Sequence, residues 1–197
     1  TESELALIRM QGRILAQTNT YAIGLLEGLT SYVLADGFTY KATTRHRENA
    51  APEELLEAVQ DIIDDFLERN GWGGGAEPGL EEELFWRSCE DGEFFLLHYV
   101  DPDGNTELRV VEPDQVVQPP STDPREWSFG VRVDPADQQK HLGYNTVWDE
   151  LGMESKEYDA DAMLHMRRNV KRTVKRGVTD FSFDTLDALY IAGRLRR

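Results

Sequence analysis

The sequence is poor in the residues that most often carry chemistry in small proteins. Cys89 is its only cysteine, which excludes an internal disulfide and is typical of a reducing compartment. No run of about 18 apolar residues and no signal peptide occurs, so neither a membrane span nor secretion is predicted. The histidines are scattered without the spacing of a metal site; they are His46, His98, His141 and His165.

Sequence motifs for catalysis are also missing. The glycine run 73–75 lacks the Lys-Ser/Thr pair of a phosphate-binding loop and follows a predicted helix rather than a strand. Neither a GxSxG elbow nor an HExxH helix occurs, and Cys89 fits a packing role better than a nucleophilic one. We therefore expect a protein that is not an enzyme and binds no cofactor or metal. A metal-dependent hydrolase built on the many carboxylates stays open as an alternative.

Positive charge is scarce and concentrated. The 197 residues contain 21 Lys and Arg against 37 Asp and Glu, a net charge of −16. Residues 165–197 alone hold nine basic residues against three acidic ones. Such polarity predicts two surfaces with different partners, although a solvated basic loop is the simpler alternative. The acidic remainder should repel nucleic acid.

Six of the basic residues fall within ten positions and are the candidate contacts to DNA or to a protein partner: Arg167, Arg168, Lys171, Arg172, Lys175 and Arg176. Their paired repeat of four would place all six on one side of a helix without an intervening acid. Because like charges four apart destabilise a helix, the run is predicted to be an extended or mobile loop in the free protein. It is also expected to contribute few apolar contacts, so that reversing its charges would leave folding intact.

Four helices are predicted from apolar spacing. Residues 4–34 repeat apolar side chains every three to four positions, with a break at Asn19 and Thr20. Residues 52–70 form the clearest amphipathic pattern, and residues 80–90 form a shorter one that ends at Asp91 and Gly92. Residues 181–195 complete the set. The length suits one ordinary domain or two small ones.

Strands are predicted between these helices, over residues 38–42, 94–100, 107–111, 130–134, 143–148 and 162–166. Residues 135–142 and 153–159 are predicted to be a turn region and a polar connection. The turn at residues 101–105 has an alternative interpretation. Calcium-loop positions 1, 3, 5, 7 and 12 would be Asp101, Asp103, Asn105, Glu107 and Glu112. Thr106 stands where such a loop needs glycine and the flanking segments are predicted strands, so a plain hairpin is favoured.

Taken in order, several short segments resemble the phage portal protein family. Residues 32–38 (YVLADGF) are similar to its "nYVvG.Gf" stretch, and residues 91–95 (DGEFF) to its "GE" followed by a strand. Further similar segments are 111–116 (VEPDQV), 129–134 (FGVRVD), the later Tyr144, 158–166 (YDADAMLHM, against "ipA..vlH") and 175–178 (KRGV, against "RGv"). The likeness runs over about 165 residues, and the basic run is denser than the family pattern.

The resemblance implies an α+β fragment of a longer portal-like chain. Residues 1–79 would be a helical, wing-like region, 80–106 the first stem helix and a strand, 107–166 a small mixed β clip module, and 167–197 the basic segment and second stem helix. We also predict separate lobes, with boundaries near residues 71–79 and 112–120.

The implied function is that of a structural subunit in a ring, a dodecamer in this family, through which double-stranded DNA enters and leaves the capsid. Its partners would be other copies of itself, the DNA, the terminase motor and a head–tail adaptor, and not a membrane. It would be assembled in the host cytoplasm and kept at the portal vertex of the virion. A DNA-binding or adaptor module that uses residues 167–176 on phosphate is the alternative.

Overall fold

A computed structural model describes residues 1–35, 37–45, 50–73, 79–120, 122–148, 154–181 and 188. Within them the chain has an α+β fold, as expected. Its helices are α1 (Glu2–Thr18), α2 (Thr20–Val33), α3 (Glu53–Arg69) and α4 (Leu80–Glu90). None of these helices combines the length and the apolar content that crossing a membrane requires.

The break predicted in the first helical stretch is real. Asn19 leaves the helical conformation, ends α1 through a backbone bond to Leu15, and caps α2 by accepting the N–H groups of Tyr21 and Ala22. At the other end of α1, Thr1 and Glu4 form a capping box. One asparagine therefore serves as the stop of one helix and the start of the next.

The strands form two sheets. One has the order β2 (Thr106–Val111), β1 (Glu93–Val100), β7 (Met163–Arg167). The other has the order β3 (Trp127–Ser128), β4 (Val131–Asp134), β5 (Asp137–Val147), β6 (Ser155–Asp159). Every pairing among the described strands is antiparallel.

Most predicted elements are present, and three differ. Residues 38–42 form no strand; Gln60 of α3 instead holds this segment through the backbone of Tyr40 and Ala42. Residues 137–142, predicted to be a turn region, are the first half of β5 and pair with β4. Residues 155–159, predicted to be a polar connection, form β6 and pair with β5. Pairing with a neighbouring strand makes both segments strands despite their polar sequence. The hairpin at residues 101–105 is confirmed, with Asp101 accepting backbone N–H groups across the turn.

The two sheets share one apolar core. Phe95 of β1, Val111 of β2 and Val131 of β4 are all fully buried in it, together with Leu97, Val116, Val133, Tyr144 and Met163. The predicted boundary at residue 106 falls within the β1–β2 hairpin, and the one near residues 112–120 falls between residues of this shared core.

A second, smaller cluster joins the helices α1, α2 and α4 to Phe181. Helix α3 buries none of its residues, and Leu55 and Ile62 stay outside both cores. The helix predicted over residues 181–195, with its extension to 197 as a second stem helix, lies outside the described residues apart from Phe181 and Ala188.

Candidate functional site

The candidate site is built around a buried carboxylate, that of Glu93, the first residue of β1. Its side chain is 0% exposed and accepts four hydrogen bonds. Arg9 and the Nε of Arg176 donate to Oε1, the latter at 2.8 Å. The Nε2 of His165 and the backbone N–H of Gly177 donate to Oε2, both at 2.9 Å. Both carboxylate oxygens are thus occupied by the protein itself.

The charges of this cluster follow from its burial. Burial by itself would raise the pKa of the Glu93 carboxyl, but the hydrogen bond from His165 and the positive charges of Arg176 and Arg9 outweigh it and hold that pKa at about 2. Burial also lowers the pKa of His165 to about 4, although its bond to Glu93 opposes the shift. At neutral pH, Glu93 is therefore ionised and His165 neutral, with its proton on Nε2.

Sheet geometry and two glycines bring the cluster together. In the β1–β7 ladder Glu93 pairs with Arg167 and Phe95 pairs with His165, so the His165 ring stacks on Phe95 at 4.0 Å between centroids. Gly92 has a φ of +78°, and a Cβ there would lie 2.0 Å from the carbonyl carbon of Val178. A Cβ on Gly177 would lie 1.9 Å from the Gly92 oxygen. Only glycine permits these two backbones to pass so closely.

Arg176 links this carboxylate to the irregular segments above it. Its guanidinium donates to the carbonyl oxygens of Val116 and Phe129 at 2.9 Å and of Pro113 at 2.7 Å. A planar fork with five donors suits such a site, because it satisfies three carbonyls and a carboxylate at once. Arg176 is consequently 5% exposed.

A second layer of ion pairs attaches α1 to the same region. Arg13 binds Asp91 through two bonds of 2.7 and 3.0 Å, and Asp114 through one of 2.7 Å. Arg9, one turn earlier, also reaches Asp114, at 3.1 Å. Arginines four positions apart thus lie on one face of α1, directed at Asp91 before β1 and Asp114 after β2.

Beside this layer is a cleft of about 700 Å³ between α1 and α4. Glu90 lines it, and burial together with the neighbouring Asp91 raises the pKa of Glu90 to about 7. No group of three or more metal-ligating side chains occurs in the described part of the chain.

Glu93 and the groups bonded to it, from Arg9, His165, Arg176 and Gly177, form what we call the Glu93 clamp. This clamp joins α1, β1, β7 and the segment after β7, and β1 directly follows α4.

The predicted contact residues divide into two classes. Arg176 is an internal residue, and its burial argues against the predicted contact of this side chain with DNA or a partner. Arg168 binds Asp180 at 2.8 Å and approaches the Cys89 sulfur at 3.2 Å, and Arg167 donates to the Val174 carbonyl. Lys175 is half-buried, with its pKa lowered by burial.

Lys171 and Arg172 remain exposed at the loop tip, with no carboxylate within ion-pair distance among the described residues. Residues 168–180 form no helix or strand, as the charge repeat predicts. The burial and internal bonds of Arg176 argue against the expectation that reversing the charges of the whole run would leave folding intact.

Sequence reasoning missed the participation of Arg9, Arg13 and Asp91, and it assigned Glu93 no role beyond the resemblance. A weak signal exists for two of them. Arg9 and Arg13 lie four apart in the apolar repeat of α1, next to Ile8 and Ile14. Neither the protein-family models nor the curated proteins contain a match to this chain.

Proposed function

We propose that this chain is a structural subunit of a ring-shaped viral portal, through which double-stranded DNA is packaged and later ejected. The observation that carries the proposal is the meeting of three separate segments at one carboxylate. Glu93, His165 and Arg176 come from the "GE", "vlH" and "RG" segments on which the resemblance rests, 72 and 83 residues apart from Glu93 along the chain. Segments that resemble one family in order are here also joined in space.

The path of the chain agrees with this proposal. Helix α4 leads directly into β1, and after the two sheets β7 returns along β1. The chain then passes α4 again, where the Asp180 N–H donates to the Cys89 carbonyl and Phe181 enters the helical core. A β module inserted between an outgoing helix and a returning segment is the arrangement expected for a clip between two stem segments.

The charge distribution also suits a DNA conduit. Each phosphate contact adds affinity and would slow a sliding polymer, so a channel should present few cations. Arg9, Arg13, Arg168 and Arg176 are engaged with internal carboxylates, and the net charge is −16. On this proposal the protein performs no reaction and lies at the portal vertex of the virion, where the packaging motor and the tail adaptor dock.

Native mass spectrometry and negative-stain microscopy of the chain test the proposal. Rings of about a dozen copies with weak, non-selective affinity for duplex DNA are expected. A monomer that binds DNA at nanomolar concentration and physiological salt would overturn it and favour a DNA-binding or adaptor module. Such a module would depend on Lys171 and Arg172 at the loop tip.

A further inference from the structure

Helix α3 has an apolar stripe that no other described residue of its chain covers. Leu55, Val59 and Ile62, at spacings of four and three, are 54%, 39% and 68% exposed. Glu54 and Asp61 are exposed one position before Leu55 and Ile62, about 100° around the helix from them. No cation lies within ion-pair distance of either carboxylate among the described residues. The surface is an apolar row with negative charge along one side.

The tip of the loop after β7 has the opposite character. Lys171 and Arg172 are exposed, and Val174 next to them is 43% exposed. This loop is held in place from behind by Arg176 on Glu93 and by Arg168 on Asp180. The loop therefore holds the apolar side chain of Val174 in a fixed position beside the positive charges of Lys171 and Arg172.

These two surfaces are associated with opposite ends of one sheet. Asn70, which ends α3, bonds to the backbone of Thr106 and Leu108 at one end of β2. The loop follows Arg167, which pairs with Glu93 at the other end of β1. Seven residues at about 3.3 Å each separate Glu93 from Val100, or roughly 23 Å along the strand. No ion pair joins α3 to the loop within the described part of one chain.

We propose that α3 of one copy receives the loop tip of a second copy of this chain, with Val174 on the apolar stripe and Lys171 and Arg172 against Glu54 and Asp61. Charge complementarity selects this occupant. Duplex DNA would satisfy the cations, but it would leave both Val174 and the α3 stripe uncovered. The contact uses two different surfaces, so it is head-to-tail and closes into a ring when its rotation permits. Only the closure into a ring rests on the proposed portal function; the contact between two copies does not.

Mixed disulfide formation tests the contact directly. Chains carrying Ile62→Cys are mixed with chains carrying Val174→Cys and oxidised; Cys89 is fully buried and does not compete. Covalent pairs between the two variants are expected. The matched control replaces Ile62→Cys by Tyr32→Cys, which is 88% exposed on α2. Equal yields in both mixtures, a predominance of Val174→Cys pairs with each other, or no disulfide at all would overturn the proposal.

Charge reversal tests the electrostatic part. Lys171→Glu with Arg172→Glu, and separately Glu54→Lys with Asp61→Lys, should each weaken self-association roughly tenfold in sedimentation, and combining all four should restore it. Lys156→Glu and Asp103→Lys are exposed controls that should change nothing. Rings that ignore all these reversals would refute the contact and leave the portal function standing. Charge-dependent pairing without rings would support the contact and refute the portal function.

Discussion

At the scale of single residues, Glu93 is the carboxylate shared by two buried arginines, Arg9 and Arg176. Replacing it by glutamine keeps the shape and removes the negative charge, which leaves the buried Arg176 without a counter-charge and Arg9 with Asp114 alone. Breaking a buried pair in this way typically costs about 3–5 kcal/mol. Urea unfolding of Glu93→Gln should show a loss of that size, while Glu126→Gln, on an exposed residue, should show none. Stability equal to wild type would mean that the clamp is unimportant.

The same cluster should make the protein sensitive to acid. His165 has its pKa lowered to about 4 from 6.5, so between these values the unfolded chain binds the proton and the folded one does not. Stability is therefore expected to fall as the pH drops from 6.5 towards 4. Glu93, with its pKa lowered to about 2 from 4.5, extends the loss below pH 4.5. Unfolding measured across pH 3–7 checks this, and a His165→Gln variant should lose the upper part of the slope.

The pKa of Glu90 is shifted in the opposite direction, so its effect on the pH dependence of stability has the opposite sign. Its pKa is raised to about 7 from 4.5, so the folded state holds the proton more tightly and stability is lost as the pH rises through this range. Glu90→Gln should therefore gain stability over wild type at pH 8, and this gain should shrink towards pH 5. Parallel thermal unfolding at both pH values measures the difference. A constant offset would show that Glu90 does not titrate near neutrality.

At the scale of elements, the close crossing of the turn after α4 and the segment after β7 has a sharp steric test. Gly177→Ala would place a methyl group 1.9 Å from the Gly92 oxygen, a backbone atom that cannot move without disturbing Glu93. We expect a loss of several kcal/mol, about the upper range for point substitutions. Gly24→Ala, inside α2 with nothing within 4 Å, should instead stabilise by about 0.5–1 kcal/mol. Chemical unfolding of the pair compares them, and similar effects would argue against the crossing.

Helices and strands whose apolar residues repeat at regular spacing could be predicted from the sequence. Elements that exist only because they pair with a neighbouring strand could not. The break at Asn19, the helix α4 and the hairpin β1–β2 follow from capping, spacing and turn chemistry. The polar sequence of β6 gives no such signal, because its exposed strand exists only through pairing with β5. The Glu93 clamp was hidden for the same reason, since Arg9, His165 and Arg176 lie 72 to 84 residues from Glu93 along the chain. Only Arg9 and Arg13 within an apolar helical repeat offered a local hint.

At the scale of the whole molecule, the two sheets and the helical cluster meet at Glu93, so the basic run has two separable functions. Its tip is a surface and its last residue is part of the core. Reversing the entire run would therefore confuse loss of folding with loss of contact. The same distinction explains why a net charge of −16 coexists with buried arginines: they neutralise internal acids and leave the exterior negative.

Two variants should separate these functions. Arg176→Glu places a second carboxylate beside Glu93 and removes the hydrogen bonds to the carbonyls of Pro113, Val116 and Phe129. Cooperative unfolding should therefore be lost, or the free energy of unfolding should fall by more than about 3 kcal/mol. Lys171→Glu with Arg172→Glu changes only the exposed tip and should unfold within about 0.5 kcal/mol of wild type. Urea titration followed by circular dichroism measures both. If the tip variant unfolded as readily as Arg176→Glu, the loop as a whole would belong to the core, and its cations would not form a separate contact surface.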